Sequence, residues 1–380
     1  MSEWGKYRLG DLATMNYGKS LTAEKRLNGD VPVYSSAGIC GWHNEYLENS
    51  NAIIVGRKGN SGSVFYSKTP FYCIDTAYYI LPDKSYNLKF LYYKLLSLNL
   101  KRLTSDSAVP GLNRETAYAQ EITIPDLPTQ TQIASILTSF DDKIELLGQM
   151  NQTLETMAQT IFKEWFVDFN FPGFDGELVD GLPKGWRKGK LGDEFDLVMG
   201  QSPKGETYNE DGKGMVFYQG RTDFGFRFPS NRLFTTEPNR KANYLDTLIS
   251  VRAPVGDINM ANEPCCIGRG LSSVRHKTKA FSYTYYLMKN IEDIFKSFES
   301  EGTVFGSINK SNFEDIEILI PELKILTAFE TAINPIDYKI LENSNQIRTL
   351  TQLRDTLLPK FMSGQVKINT DFSRYDVRNS

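Results

Sequence analysis

The residues best placed for chemistry in this 380-residue sequence are basic side chains in glycine-rich loops. V-G-R-K-G-N-S-G at 55–62 holds Arg57 and Lys58 among glycines that let a backbone approach a ligand closely. V-R-A-P-V-G-D at 251–257 carries Arg252, which we place opposite Arg57. Arginine and lysine on loops contact base edges and phosphates. The two loops are therefore candidates for contact with a nucleic acid, DNA or RNA.

Further candidates for DNA contact lie in the G-K-S segment at 18–20, the G-Q-S-P-K segment at 200–204 and the loops around them. They are Lys19, Ser20, Asn60, Gln201, Ser202, Lys204, Arg221, Arg227 and Arg269, with Tyr34 and Tyr218 as flanking aromatic rings. Each of these could instead be an exposed side chain without a ligand. Arg57 and Arg252 are the strongest candidates. We expect Arg57→Ala to weaken DNA binding, because it removes a base contact worth ~1–3 kcal/mol or a phosphate contact.

Motifs that would indicate catalysis are incomplete. N-P-I-D at 334–337 shares two letters with the N/D-P-P-Y/F motif of methyltransferases, and G-R-G at 268–270 lacks the third glycine of a dinucleotide loop. P-E-L-K at 321–324 loosely resembles a nuclease core, but the matching P-D-L-P at 125–128 has no lysine. We predict no catalytic residues. With two histidines and no C-x-x-C among four cysteines, we also expect no metal site.

The charge of the chain is unevenly distributed. The net charge of −3 argues against a nucleic-acid ligand, yet residues 213–289 hold 12 Lys or Arg and 5 Asp or Glu, a net of +7. A polyanion responds to such local charge within a Debye length, and the alternative is a solvated loop surface that is basic without a ligand. The sequence contains no run of eighteen apolar residues, so we expect no membrane span. The first residues also lack the apolar core of a signal peptide. We expect a cytoplasmic protein whose cysteines are reduced and buried.

An internal repeat organises the chain. E-I-T-I-P at 121–125 matches E-I-L-I-P at 317–321 at four of five positions, an offset of 196. Further matches follow in order, including Cys73 with Cys266, and their offsets run from 182 to 196. Loops of different length explain the drift. The sequence therefore predicts two copies of one unit.

Each copy begins with strand-like runs, rich in β-branched and aromatic residues and interrupted by Gly, Pro and Asn. The runs are V-P-V-Y, A-I-I-V, S-V-F-Y and T-A-Y-Y-I-L in copy one, and M-V-F-Y, L-I-S-V and L-S-S-V in copy two. A short helix is expected near 88–100 and near 282–298, followed by a strand that stops at Pro125 or Pro321.

Each copy then continues into a long helix with an apolar stripe of heptad spacing. The stripe residues are Ile133, Leu137, Phe140, Ile144, Leu147, Asn151, Leu154 and Ile161 in copy one, and Phe329, Ile333, Ile336, Ile340, Asn343, Ile347, Leu350 and Leu357 in copy two. We predict an antiparallel coiled coil, with two ordinary amphipathic helices as the alternative. Its symmetric register pairs Asn151 with Asn343, and Pro335 is expected to kink the second helix.

Three segments carry a resemblance to a known family. I-F-K-E-W-F-V-D-F at 161–169, L-P-K-G-W at 182–186 and L-L-P-K-F-M-S-G at 357–364 resemble signatures of type I restriction–modification specificity subunits. The similarity extends from Trp4 to about Ile368. It implies an α+β fold in which two β-rich target recognition domains alternate with two long helices. The implied domains are 1–125 and 172–321, the spacer helices 126–171 and 322–368, and the disordered tail 369–380.

The resemblance also implies a function. Each recognition domain would read one half of a bipartite, asymmetric DNA site. The chain would assemble with two modification subunits, which bind S-adenosylmethionine and methylate adenine, and optionally with restriction subunits that use ATP. The chain itself would hold no cofactor. The alternative is a coiled-coil adaptor that binds only proteins, and a salt-sensitive DNA shift would separate the two.

Overall fold

The structure is a computed structural model that describes residues 4–104, 111–300 and 307–366, apart from the side chains of 299 and 300. The predicted tail at 369–380 lies outside the described residues. Contacts divide the chain into two units, residues 1–145 with 348–380, and residues 146–347. Among the described residues, no helix combines the length and apolar character that crossing a bilayer requires.

The first unit is a β-rich head followed by the start of a long helix. Its elements are β1 (Gly5–Arg8), α1 (Leu9–Leu12), β2 (Asn16–Tyr17), β3 (Val31–Ser35), β4 (Gly38–His43), β5 (Ala52–Gly56), β6 (Val64–Ser67), β7 (Tyr72–Cys73), β8 (Ala77–Ile80), α2 (Leu88–Ser97), α3 (Arg114–Tyr118), β9 (Glu121–Ile124) and α4 (Leu127–Phe166), which continues into the second unit. The strands form sheets in the orders β2-β8-β5-β6, β4-β3-β7 and β1-β9.

The four-stranded sheet lies between two apolar clusters of the first head, as its strand β5 shows. All five of its residues are buried, and alternate side chains enter different clusters. Ile53 and Val55 pack on the side of α2, whereas Ala52 and Ile54 pack on the side that includes Tyr34 and Phe71. This alternation follows from the two-residue period of a strand. The apolar run A-I-I-V is therefore a strand buried on both faces.

The second unit repeats this plan. Its elements are β10 (Leu178–Val179), β11 (Leu182–Pro183), β12 (Arg187–Lys190), α5 (Leu191–Glu194), β13 (Phe195–Met199), β14 (Tyr208–Asn209), β15 (Met215–Tyr218), β16 (Leu233–Thr235), β17 (Lys241–Ala242), β18 (Thr247–Ser250), β19 (Ile258–Met260), β20 (Cys265–Ile267), β21 (Leu271–His276), α6 (Phe281–Asn290), α7 (Glu292–Ser300), α8 (Lys310–Glu314), β22 (Glu317–Ile320) and α9 (Leu323–Met362), which continues into the first unit. Its sheets run β13-β21-β18-β19, β14-β16-β15-β20-β17, β12-β22 and β10-β11.

Matching sheet orders confirm the predicted repeat. The order β13-β21-β18-β19 reproduces β2-β8-β5-β6, and the parallel pair β15-β20 reproduces β3-β7. The register also corrects one detail. Tyr34 lies opposite Cys73 and Tyr218 lies opposite Ile267, so Cys73 corresponds to Ile267 rather than to Cys266. The expectation of buried cysteines holds for Cys73, Cys265 and Cys266, whereas Cys40 is exposed.

The long helices α4 and α9 pack against each other in antiparallel sense. In the first unit, Arg354 Nη1 of α9 lies 2.9 Å from Asp141 Oδ1 of α4. In the second unit, the predicted contact is present, since Asn343 Nδ2 donates to Asn151 Oδ1 at 3.0 Å. Helix α9 continues through Pro335, so this proline does not end the helix, and a bend at Pro335 stays a prediction. Its 40 residues correspond to ~60 Å at 1.5 Å per residue.

The predicted stripe lies on the packed side of both helices. Its fully buried members are Ile133, Leu137, Leu147, Asn151, Phe329, Ile333, Ile340 and Asn343, and its half-buried members are Phe140, Ile144, Leu154, Ile161, Ile336, Ile347, Leu350 and Leu357. Toward the ends of the helices, the stripe merges with the head cores. Phe361 and Met362 join the core of the first head, and Phe162 and Phe166 join that of the second.

Candidate nucleic-acid interface

In the first head, several loops meet beside the central four-stranded sheet. Lys19 N donates to Cys73 O at 2.9 Å, which fixes the chain after β2. Arg57 N donates to Thr76 O at 2.8 Å, and Leu112 N donates to Arg57 O at 2.8 Å. These backbone hydrogen bonds join segments that are distant in sequence. They bring the predicted residues Lys19, Arg57 and Lys58 to one side of the head.

A cleft of about 370 Å³ opens at this place, and Tyr17, Arg57, Lys58, Tyr78 and Arg114 contribute to its lining. The Arg57 guanidinium lies 4.9 Å from the centre of the Tyr17 ring, and its Nη1 donates to Asp75 O at 3.1 Å. The Arg114 guanidinium lies 5.0 Å from the same ring. Tyr17 is 46% exposed. The cleft therefore presents an accessible ring that contacts two cations.

The electrostatics of the cleft favour a ligand rich in acceptors. Lys58 is exposed, and Arg57 and Arg114 are half-buried. Among the described residues, Arg57 and Lys58 have no acidic side chain within ion-pair distance, while the exposed Glu115 lies 3.7 Å from Arg114. Burial raises the pKa of Tyr78 above its ordinary value, with a smaller contribution from Tyr17, so its hydroxyl stays neutral.

The second head arranges its loops in the same way. Gln201 N donates to Ile267 O at 3.0 Å, the counterpart of the Lys19 contact. Arg269 N donates to Ser202 Oγ at 3.3 Å. An isolated bridge pairs Arg252 with Ser307, just as Lys58 pairs with Gly111 in the first head. Ser202, Arg252 and Arg269 therefore occupy the side of the head that corresponds to the cleft.

This geometry corrects the proposed equivalence of Arg57 and Arg252. Val251 N donates to Gly270 O and Val251 O accepts from Ile308 N, which are the contacts that Arg57 makes in the first head. Arg57 thus corresponds to the buried Val251, and Lys58 corresponds to Arg252. The sequence match was one residue out of register. Adjacent residues of an extended segment face opposite sides, so this slip exchanges a buried position with an exposed one.

Most predicted contact residues are accessible. Those exposed are Lys19, Ser20, Lys58, Asn60, Gln201, Lys204, Arg221, Arg252 and Arg269, and those half-buried are Arg57 and Ser202. Arg221 forms an ion pair with Asp257 that competes with any ligand. The remaining three, Arg227, Tyr34 and Tyr218, are buried.

Arg227 is not a DNA contact in this fold. It is 1% exposed, with Nη1 2.6 Å from Glu155 Oε2 and Nη2 2.7 Å from Asp337 Oδ1. Its guanidinium also lies 3.4 Å from the centre of the Tyr285 ring. Burial opposes its charge, but the carboxylates of Asp337 and Glu155 raise the pKa of Arg227 well above its ordinary value. This arginine fastens the second head to α4 and α9.

Tyr34 and Tyr218 are also corrections. They occupy equivalent positions in β3 and β15, and their rings belong to the head cores. Tyr218 donates its hydroxyl to Asn231 Oδ1 at 2.7 Å. A ring buried between sheets offers no face to a base. The sequence pattern correctly placed both residues in strands, but it did not show which side of each strand is covered.

Sequence reasoning missed Tyr17 and Arg114. Tyr17 directly precedes the G-K-S segment, and Arg114 directly follows G-L-N at 111–113, which matches G-S-I-N at 306–309 in the second copy. Asn113 accepts from Glu115 N at 2.8 Å and so caps α3, which begins at Arg114. Proximity to matched segments was the available signal. Their meeting in one cleft depends on the fold.

Comparison with known proteins agrees with this architecture. The sequence model of the family described as "Type I restriction modification DNA specificity domain" matches residues 1–156 and 183–359, one match for each repeat. The chain belongs to this family. It is a specificity subunit of a type I restriction–modification system, with DNA sequence recognition and assembly into that system as its role. The expected resemblance and the α+β fold are confirmed.

Individual relatives support the same assignment. The chain is 30% identical over 297 residues to the putative type I restriction enzyme MjaX specificity subunit of Methanocaldococcus jannaschii, covering 75% of this chain and 69% of that protein. It is 27% identical over 349 residues to the MjaIX specificity subunit of the same organism, covering 83% and 78%. The crystal structure of a type I S subunit from M. genitalium has the same fold, with a TM-score of 0.67, 21% identity and coverage of 95% and 96%.

Proposed function

We propose that this chain reads a bipartite, asymmetric DNA site, with one half-site for each head. The observation that carries the proposal is the pair of equivalent exposed cations, Lys58 and Arg252, each on the side of its head where the loops meet. The residues around them differ between the heads. Different side chains on equivalent loops would select different base sequences, because bases are read through specific hydrogen bonds.

The proposal assigns catalysis to partner subunits. Two modification subunits would dock on the chain, bind S-adenosylmethionine and methylate adenine, and restriction subunits using ATP would join optionally. The chain itself would supply recognition and no catalytic residue. The incomplete methyltransferase and nuclease motifs of the sequence support this division of labour.

Mapping of methylated adenines tests the proposal. DNA is modified by the full-length chain with its modification subunit, and we expect two short sequence elements separated by a constant gap. The control is the purified chain without partner, from which we expect no methyl transfer. Methyl transfer by the isolated chain, or a single undivided target sequence, would overturn the proposal.

A further inference from the structure

We propose that Arg57, held against Tyr17, reads one guanine through its N7 and O6 atoms in the half-site of the first head. This inference rests on the proposed function and names a base-reading group that the second head lacks. Arginine with two parallel N–H groups is the commonest specific partner of guanine in the major groove. The cleft beside Tyr17 and Arg114 is the place where this contact would form.

The orientation of Arg57 supports base reading over a loose phosphate contact. Its guanidinium contacts the Tyr17 ring at 4.9 Å and the Tyr78 ring at 5.9 Å, both measured to the centroid. Its Nη1 is fixed by Asp75 O at 3.1 Å. A guanidinium held this way keeps its planar fork oriented before the ligand arrives, so less freedom is lost on binding. A phosphate contact needs only a charge within reach, which the exposed Lys58 supplies.

The charge of the cleft supports a ligand that offers acceptors. Two guanidinium groups lie within 5.0 Å of the centre of one tyrosine ring. Such like charges repel each other unless an acceptor lies between or beside them. Among the described residues, the acidic group within ion-pair distance is Glu115, which is 3.7 Å from Arg114 and itself exposed. N7 and O6 of guanine are both hydrogen-bond acceptors and would supply partners for these guanidinium groups.

The second head lacks these groups at the equivalent positions. By the strand registers, Tyr17 corresponds to Met199 and Arg57 corresponds to Val251. Lys310, the counterpart of Arg114 at the start of α8, forms an ion pair with Glu314 at 3.3 Å. At these equivalent described positions, the second head therefore offers no guanine reader of this kind.

The test uses the full-length chain with its modification subunit and a duplex carrying the mapped site. Each guanine of both half-sites is replaced in turn by 7-deazaguanine, which lacks the N7 acceptor, and the dissociation constant is measured. For the wild type we expect one position at which the replacement weakens binding about 10-fold or more. For Arg57→Ala, which removes the guanidinium donors, the same replacement should have no further effect.

Three controls make the outcome specific. Lys58→Ala should lower affinity for all duplexes alike and reduce the salt dependence of binding, as expected for loss of a phosphate contact. Lys310→Ala should leave the 7-deazaguanine profile unchanged. Tyr17→Leu should keep the fold and reduce the effect at the sensitive position, because Arg57 is no longer held. Thermal melting of each variant checks folding.

The inference is overturned if no 7-deazaguanine weakens wild-type binding, or if Arg57→Ala leaves the sensitivity intact. It is also overturned if Arg57→Ala behaves like Lys58→Ala, with a uniform loss across duplexes. Failure of the proposed function would look different. In that case the mapping itself would give no bipartite methylated site, and no sequence-specific duplex would exist to scan.

Discussion

At the scale of single residues, the buried position of Arg227 turns a candidate ligand contact into a structural one. Its side chain joins Glu155 of α4 and Asp337 of α9 to the second head, and Nη1 also lies 3.0 Å from the Tyr286 hydroxyl. The first unit places Tyr93 and Arg354 around the equivalent Asp141. The same carboxylate thus recurs in both units, with its arginine supplied from a different part of the chain.

We predict that Arg227→Met destabilises the second unit by ~3–5 kcal/mol, because it leaves the carboxylates of Glu155 and Asp337 without their cation. Urea denaturation of the full chain, followed by tryptophan fluorescence, measures the change. The matched control is Arg221→Met, an exposed arginine paired with Asp257, whose loss should cost ~0–1 kcal/mol. Equal unfolding midpoints for Arg227→Met and the wild type would contradict the structural role.

Glu330 of α9 gives the second unit a pH dependence. Its carboxylate accepts from Tyr283 N at 2.7 Å and Ser282 N at 3.4 Å, at the start of α6. Burial raises the pKa of Glu330 to about 7, and Asp337 adds to the shift. Glu330 and Lys279 both line one cavity of the second unit. The Glu330 carboxyl binds its proton more tightly in the folded state than in the unfolded state. The folded state therefore loses stability as the pH rises from about 4.5 to about 7.

We therefore predict that Glu330→Gln becomes more stable relative to the wild type as the pH rises through this window, and that the difference is constant at higher pH. The free energy of unfolding at a series of pH values measures it. Glu342→Gln, at an exposed position of the same helix where Lys339 lowers the pKa of the carboxyl, should show no such rise. A difference between Glu330→Gln and the wild type that is independent of pH would rule the shift out.

At the scale of elements, α4 and α9 meet at a polar contact within an apolar stripe. Asn343 donates to Asn151, and Asn151 Nδ2 donates to Ser344 Oγ at 3.1 Å. Asn343 Oδ1 is buried without a hydrogen bond among the described residues. A buried polar pair of this kind fixes the register of two helices at some cost in stability.

We predict that Asn151→Leu alone destabilises the chain by ~1–3 kcal/mol, since the Asn343 amide loses its partner in a buried position. The double variant Asn151→Leu with Asn343→Leu should be at least as stable as the wild type. A double-mutant cycle by chemical denaturation measures the coupling. A double variant less stable than the wild type would show that the pair stabilises the helices rather than specifying their register.

At the scale of the whole molecule, the repeat suggests a chain formed by fusing two similar units. The first unit is completed by the end of α9, where Lys94 Nζ donates to Met362 O at 2.8 Å and Phe361 is buried. A fragment containing residues 1–171 lacks that segment. The end of α4 from a second copy would have to replace it, with Trp165 at the position of Phe361 and Ala158 at that of Arg354.

We predict that this fragment forms a homodimer, because leaving its apolar stripe in water costs ~25 cal/mol per Å². The dimer should be weaker than the native pairing, since Asn151 would face Leu147 twice and the Arg354–Asp141 contact would be absent. With the modification subunit it should methylate an inverted repeat of the first half-site. Sedimentation and methylation mapping test this. A stable monomer at micromolar concentration, or methylation at the original asymmetric site, would contradict it.

Local sequence patterns were enough to predict the central strands of each head, the long helices and their pairing. These features depend on local periodicity: A-I-I-V forms buried β5, and the heptad stripe from Ile133 onward forms α4. The pairing of Asn151 with Asn343 needed only two helices of equal length in antiparallel register. Local patterns suffice where burial of one face decides the structure.

Which cations are available to a ligand depends on tertiary packing and could not be predicted from the sequence. Arg227 and Arg252 both lie in the basic segment 213–289. Arg227 is nevertheless buried, and it pairs with carboxylates that are 72 and 110 residues away in sequence. Likewise, Tyr17, Arg57 and Arg114 meet because backbone hydrogen bonds join their separate segments. The exposure of a charged side chain depends on which distant groups pack against it, and a one-residue change in strand register exchanges covered and open positions.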